Sequence, residues 1–120
     1  MHQDRRRQPR VTVCLPAAMF GAPGSQVSAT VTDLSTLGCR VHAPWRGGLP
    51  PGGFTGFEAV FYAPGVPWPI VLPCSTVWTV ELVGGEAVDI GAAFSGGDQD
   101  SYQALQRYVA SRIRSDRALL

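Results

Sequence analysis

Fourteen glycines and ten prolines within 120 residues constrain this chain more than any other feature. Glycine weakens and proline interrupts a regular element when either sits inside it, so the pattern favours many short strands and turns over long helices. The breakers gather at residues 21–24, 44–53, 64–69 and 84–85, and the stretches between them alternate. Val11, Val13 and Leu15 face one way, with Thr12 and Cys14 the other. Val27, Ala29 and Val31 repeat the pattern, as do Cys39 and Val41 against Arg40 and His42, then Phe57, Ala59 and Phe61. A longer apolar run follows from Ile70 to Leu82, and Gly84-Gly85 turns the chain into Val88, Ile90, Ala92 and Phe94. Period two is the mark of a half-buried strand. Six short strands with turns between them predict an all-β architecture, a six-stranded antiparallel barrel.

The last stretch changes period. Tyr102, Leu105, Val109 and Ile113 lie on one face of a helix over about 98–115, with Gln103, Arg107, Ser111 and Arg114 opposite, and Asp98 or Asp100 at its N-terminus. Its apolar stripe is expected to pack on the barrel. The expected organisation is a flexible Arg-rich arm over residues 1–9 and a single barrel domain with its helix over 10–120. At 45% hydrophobic and 16% charged residues the chain is too apolar for a disordered protein. No uncharged apolar run is long enough for a membrane-spanning helix.

All ten basic residues are arginine, and the net charge of +1 conceals their placement. Arg5, Arg6, Arg7 and Arg10 precede the first strand with only Asp4 against them, a local excess of three positive charges. Such a compact cluster on a nearly neutral domain suits a small anion better than a long nucleic-acid footprint. A basic stretch followed by VTVCLPAAMFGA also has the outline of a signal peptide, but Asp4, Thr12 and Pro16 interrupt it. The three cysteines, Cys14, Cys39 and Cys74, form no CxxC and no disulfide framework; reduced thiols in the cytoplasm are expected.

Two short motifs carry chemistry. In Arg6-Arg7-Gln8-Pro9-Arg10 two guanidiniums stand four residues apart on an arm, each a planar fork of donors for phosphate or for the O6/N7 edge of guanine. In Asp33-Leu34-Ser35-Thr36-Leu37-Gly38 a tight connection carries a carboxylate able to accept from guanine N1–H and N2–H together. Taken singly, the first reads as a solvated tail and the second as an Asx turn. Brought to one end of a barrel, they would form a receptor for a guanine nucleotide.

Here the sequence resembles the PilZ domains, bacterial receptors for cyclic di-GMP, with the residues above matching that family's RxxxR and [D/N]xSxxG. Val77-Trp78, Asp89-Ile90-Gly91-Ala92-Ala93-Phe94 and the final helix extend the likeness over roughly residues 4–115. The resemblance implies a six-stranded barrel with a C-terminal helix and a non-enzymatic second-messenger receptor. Arg6 and Arg10 would hold phosphates and guanine Hoogsteen edges, Asp33 and Ser35 would contact a guanine, and Gly38 would leave room for it. Arg5 would stack on a base or help set the number of ligands bound. The signal would pass to a downstream protein; a nucleotide-independent interaction adaptor on the same barrel is the alternative. The protein would be a monomer or homodimer without nucleic-acid binding, membrane insertion, cofactor or metal. Cys39-x-x-His42 has a metal-like spacing, but residues three apart on a strand face opposite ways. Ser35, His42 and Asp89 could be arranged as a triad only with a base beside the serine, which the sequence does not supply. Trp78, inside the fifth strand, is expected to be buried.

Overall fold

The computed structural model describes residues 9–21, 25–44, 55–82 and 84–118. Strands β1 (Val11–Gly21), β2 (Ser25–Leu34), β3 (Gly38–Pro44), β4 (Gly56–Phe61), β5 (Ile70–Glu81) and β6 (Ala87–Phe94) precede one helix, α1 (Gln99–Ala118). All pairings are antiparallel, and the order β1-β2-β3-β6-β5-β4 closes on itself through β1 and β4. The expected six-stranded barrel and its helix are therefore present. The expected loop 44–53 lies outside the described residues except for Pro44, and the arm 1–9 except for Pro9.

Alternation builds the core as a pleated sheet requires. The inward residues of β1 (Val11, Val13, Leu15, Met19) and those of β3 (Cys39, Val41, Ala43) are buried. Val31, Phe61, Ile70, Leu72, Val88 and Ile90 fill the centre of the barrel. Closing the sheet removes the unpaired edges that an open sheet would present.

Asp98 resolves the choice of helix cap: its Oδ1 accepts from the Ser101 backbone N–H at 2.7 Å. That bond satisfies one of the free N–H groups of the first turn. The buried stripe of α1 is wider than the expected one. Ser101, Ala104, Leu105, Tyr108 and Val109 are covered, with Tyr102 and Ile113 half-buried beside them. Ser101 is buried because its hydroxyl accepts from the Val71 N–H at 3.0 Å, tying the helix to β5. Two further bonds tie α1 to the other end of the chain. The Tyr102 hydroxyl donates to the Thr36 carbonyl at 2.9 Å, and Arg112 Nη2 donates to the Thr12 carbonyl at 2.8 Å. The helix is thereby held against the DxSxxG turn and the start of β1. No helix among the described residues is long and apolar enough to cross a membrane.

Candidate functional site

The barrel's outer surface is polar where β1 begins, β2 ends and β3 and β6 run beside them. Thr12, Thr32, Asp33, Arg40, His42 and Asp89 line an open cleft of about 290 Å³ there. Local irregularity places them. The ladders shift register between Thr12 and Leu15, between Val31 and Asp33, and between Thr76 and Trp78. A bulge inserts an extra residue and re-aims its neighbours, which is why bulges collect at barrel rims and binding sites. Here the bulge in β2 lets consecutive residues, Thr32 and Asp33, line the same cleft.

The charges are arranged in pairs. Arg10 Nη1 lies 3.6 Å from Asp33 Oδ2, a loose and half-exposed contact. Arg40 Nη2 donates to Asp89 Oδ2 at 2.8 Å. Asp89 Oδ1 is 2.8 Å from His42 Nδ1, and since an ionised carboxylate only accepts, Nδ1 carries the proton. Burial works against the charged form of Asp89, whose side chain is 13% exposed, but hydrogen bonds from Arg40 and His42 outweigh it and hold the carboxyl below its usual range. The same bond to Asp89 raises the pKa of Arg40 further.

Trp78 departs from expectation. It is 42% exposed, with its indole lying on Gly91 of β6, where a Cβ would collide with the ring. The Arg40 guanidinium sits 5.8 Å from the ring centroid, within cation–π range. The bulge beside Thr76 and the absence of a side chain at Gly91 turn the tryptophan outward, so the strand's apolar pattern alone does not bury it. An aromatic face therefore stands at the edge of the charged cleft.

A family model for the PilZ domain matches residues 4–111. This chain belongs to the PilZ domain family. Solved PilZ-type structures share its fold. The PilZ domain of Escherichia coli YcgR with c-di-GMP aligns over 96% of both chains at 19% identity, with a TM-score of 0.64. The Bacillus subtilis inhibitor of motility MotI/DgrA aligns over 98% of this chain at 16% identity, with a TM-score of 0.76. The K. pneumonia MrkH–c-di-GMP complex aligns over 98% at 15% identity, with a TM-score of 0.74. This PilZ domain spans only 55% and 57% of those last two chains. A search of curated proteins gave no significant match.

The motif residues of this PilZ domain fall into three groups. Arg5 and Arg6 lie outside the described residues. Arg10 and Asp33 meet at the cleft. Ser35 and Gly38 sit one turn away and serve the turn itself. Asp33 and Leu34 still belong to β2, so the connection is only three residues long. The Ser35 hydroxyl, on a residue 7% exposed, accepts from the N–H groups of Leu37 and Gly38 at 3.1 Å each and donates to the Gly38 carbonyl at 3.4 Å. Its donor and acceptors are thus engaged within the turn, and the motif forms a serine turn in place of an Asx turn. Gly38 lacks a Cβ for a reason internal to the barrel: one there would strike the Ala92 carbonyl oxygen of β6.

His42 and Asp89 do come together, while the hydroxyl of Ser35 is taken up in its own turn. Among the described residues no cluster of three or more His, Cys, Asp or Glu could hold a metal. Arg40, His42 and Trp78 belong to the cleft or its edge without belonging to either motif. Their signal in the sequence is polar character at Arg40 and His42 on β3, next to the motif turn, and an aromatic at Trp78 on β5, and it becomes specific only once β6 is in register with both β3 and β5.

Proposed function

We propose that this protein is a non-enzymatic receptor for cyclic di-GMP. The observation that carries the reading is the meeting of Arg10 and Asp33 at a cleft of a PilZ barrel. One is an arginine of the RxxxR arm and the other the carboxylate of the DxSxxG turn. Arg5, Arg6 and Arg10 would supply guanidinium forks to the phosphates and guanine Hoogsteen edges, and Asp33 would accept from a guanine Watson–Crick edge. Ser35 and Gly38 shape the turn that presents Asp33. Trp78 offers a ring on which a purine can stack. The bound structures of YcgR and MrkH support the choice of ligand.

The arm, residues 1–9, orders over the ligand against a single barrel domain, residues 10–120, and the altered surface is read by a protein partner in the cytoplasm. Calorimetric titration with cyclic di-GMP, with GTP alongside and with Arg10→Ala and Asp33→Ala as controls, tests the reading. The expected result is saturable binding that both substitutions abolish and that GTP does not reproduce. No binding at ~100 μM ligand, weaker than about −5.5 kcal/mol, overturns it and leaves the adaptor alternative.

A further inference from the structure

We propose that Arg40 is a second anchor of the nucleotide site, fixed to the barrel, that donates to a ligand phosphate, and that Asp89 is its positioning residue. The proposal rests on the cyclic di-GMP reading above and divides the work of the arginines. Arg40 lines the same cleft as Asp33, and its side chain is 50% exposed. Of its five N–H donors, one on Nη2 meets Asp89. Among the described residues the others meet no acceptor and face a partner.

The guanidinium is fixed from two sides. Asp89 holds Nη2 at 2.8 Å and the Trp78 ring lies beside it, while the Thr32 hydroxyl, donating to the Arg40 backbone carbonyl at 3.3 Å, holds the strand from which the side chain projects. Asp89 is in turn held by His42 on its other oxygen. This is a chain of support behind a cationic group at a binding surface.

Ion pairing gives the two arginines different roles. Arg40 and Asp89 line the cleft with Asp33, and Arg10 reaches Asp33 from its edge, so each of these two guanidiniums is engaged by a carboxylate that a phosphate must compete with. The pair able to open is Arg10–Asp33, at 3.6 Å, with side chains 55% and 25% exposed. Opening it releases Arg10 to a phosphate and the Asp33 carboxylate to guanine in one step. The Arg40–Asp89 pair is shorter and better covered on the carboxylate side, so it stays closed. Arg10 is the mobile clamp, and Arg40 is the fixed donor that sets where the ligand sits.

The test is titration of cyclic di-GMP into the wild type, Arg40→Ala, Arg40→Lys and Asp89→Asn, at about 50 and about 300 mM salt, with the melting temperature of each free protein. Arg40→Ala is expected to bind roughly 10- to 100-fold more weakly, as for loss of a charge-assisted hydrogen bond. Its affinity should also depend less on salt. Arg40→Lys keeps the charge without the planar fork and should recover part of the affinity, mainly at low salt. Asp89→Asn leaves the guanidinium less well aimed and should cost a smaller factor. Should Arg40→Ala melt far below the wild type, Arg40→Lys and Asp89→Asn carry the test. Wild-type affinity in Arg40→Ala overturns the proposal. Weaker binding with an unchanged salt dependence overturns the phosphate contact. A wild type that binds nothing overturns the cyclic di-GMP reading itself, and this proposal with it.

Discussion

Replacing Gly38 with alanine separates a glycine kept for the fold from one kept for a ligand. The added Cβ would run into the Ala92 carbonyl oxygen, a backbone atom that no rotamer change can move aside. Strands β3 and β6 must then part near Gly38↔Ala93 and Cys39↔Ala92, where the Phe94 N–H also donates to the Leu37 carbonyl at 2.9 Å. Loosening two ladder bonds at about 1 kcal/mol each, and the packing of buried Cys39 and Ala92 by about another 1 kcal/mol, comes to about 3 kcal/mol. With an unfolding entropy of about 2.1 cal/mol/K per residue, this corresponds to a melting temperature roughly 12 °C lower. Gly65→Ala is the control. Gly65 has nothing within 4 Å but a φ of 86°, so only backbone strain of about 1 kcal/mol applies there. Thermal melts followed by circular dichroism decide the matter without any ligand. If Gly38→Ala melts within about 4 °C of the wild type, the close approach of the two strands does not limit this position.

Leu105→Ala removes a fully buried side chain of α1 and should cost about 3 kcal/mol in denaturant unfolding. A loss below about 1 kcal/mol would mean that the helix contributes little to the folded state. The depressed pKa of Asp89 gives stability that is present above the usual carboxylate range and lost as pH falls through the lower folded value. The stability gap between wild type and Asp89→Asn should therefore close as pH drops below about 4, and a gap that stays constant refutes the linkage. In a thiol-reagent assay Cys14, exposed on β1, should react in the native protein. Cys39 should not react until unfolding, because its hydrogen bond with Cys74 and its burial raise its pKa, and Cys74 is shielded by burial; prompt reaction of all three thiols contradicts this.

The strands were legible because each is half-buried, and inward residues such as Val11, Val13 and Leu15 announce their face in the sequence. The helix was legible by its period, yet Ser101 and Tyr108 escaped the stripe. A hydroxyl gives no apolar signal, and Ser101 is buried by the bond it makes to β5. The outward turn of Trp78 is not legible, because an aromatic residue in an apolar strand gives no sign of which way a bulge turns it. Of the site, Asp33 and Arg10 could be named from local motifs. Arg40 and Asp89, 49 residues apart, become partners only through the β3–β6 pairing, and no local pattern announces that register.

Barrel closure has a kinetic and thermodynamic consequence for the cleft. Its walls come from β1, β2, β3 and β6, so no hairpin made early in folding contains it, and it exists only once distant strands have met. Pairings of such sequence separation form slowly, because chain entropy is spent before the contacts repay it. A ligand seated across those strands recognises the finished barrel and nothing earlier. By mass action it would add about 2.7 kcal/mol to the folded state at a concentration a hundred times its Kd. Occupancy and survival of the fold would then rise and fall together.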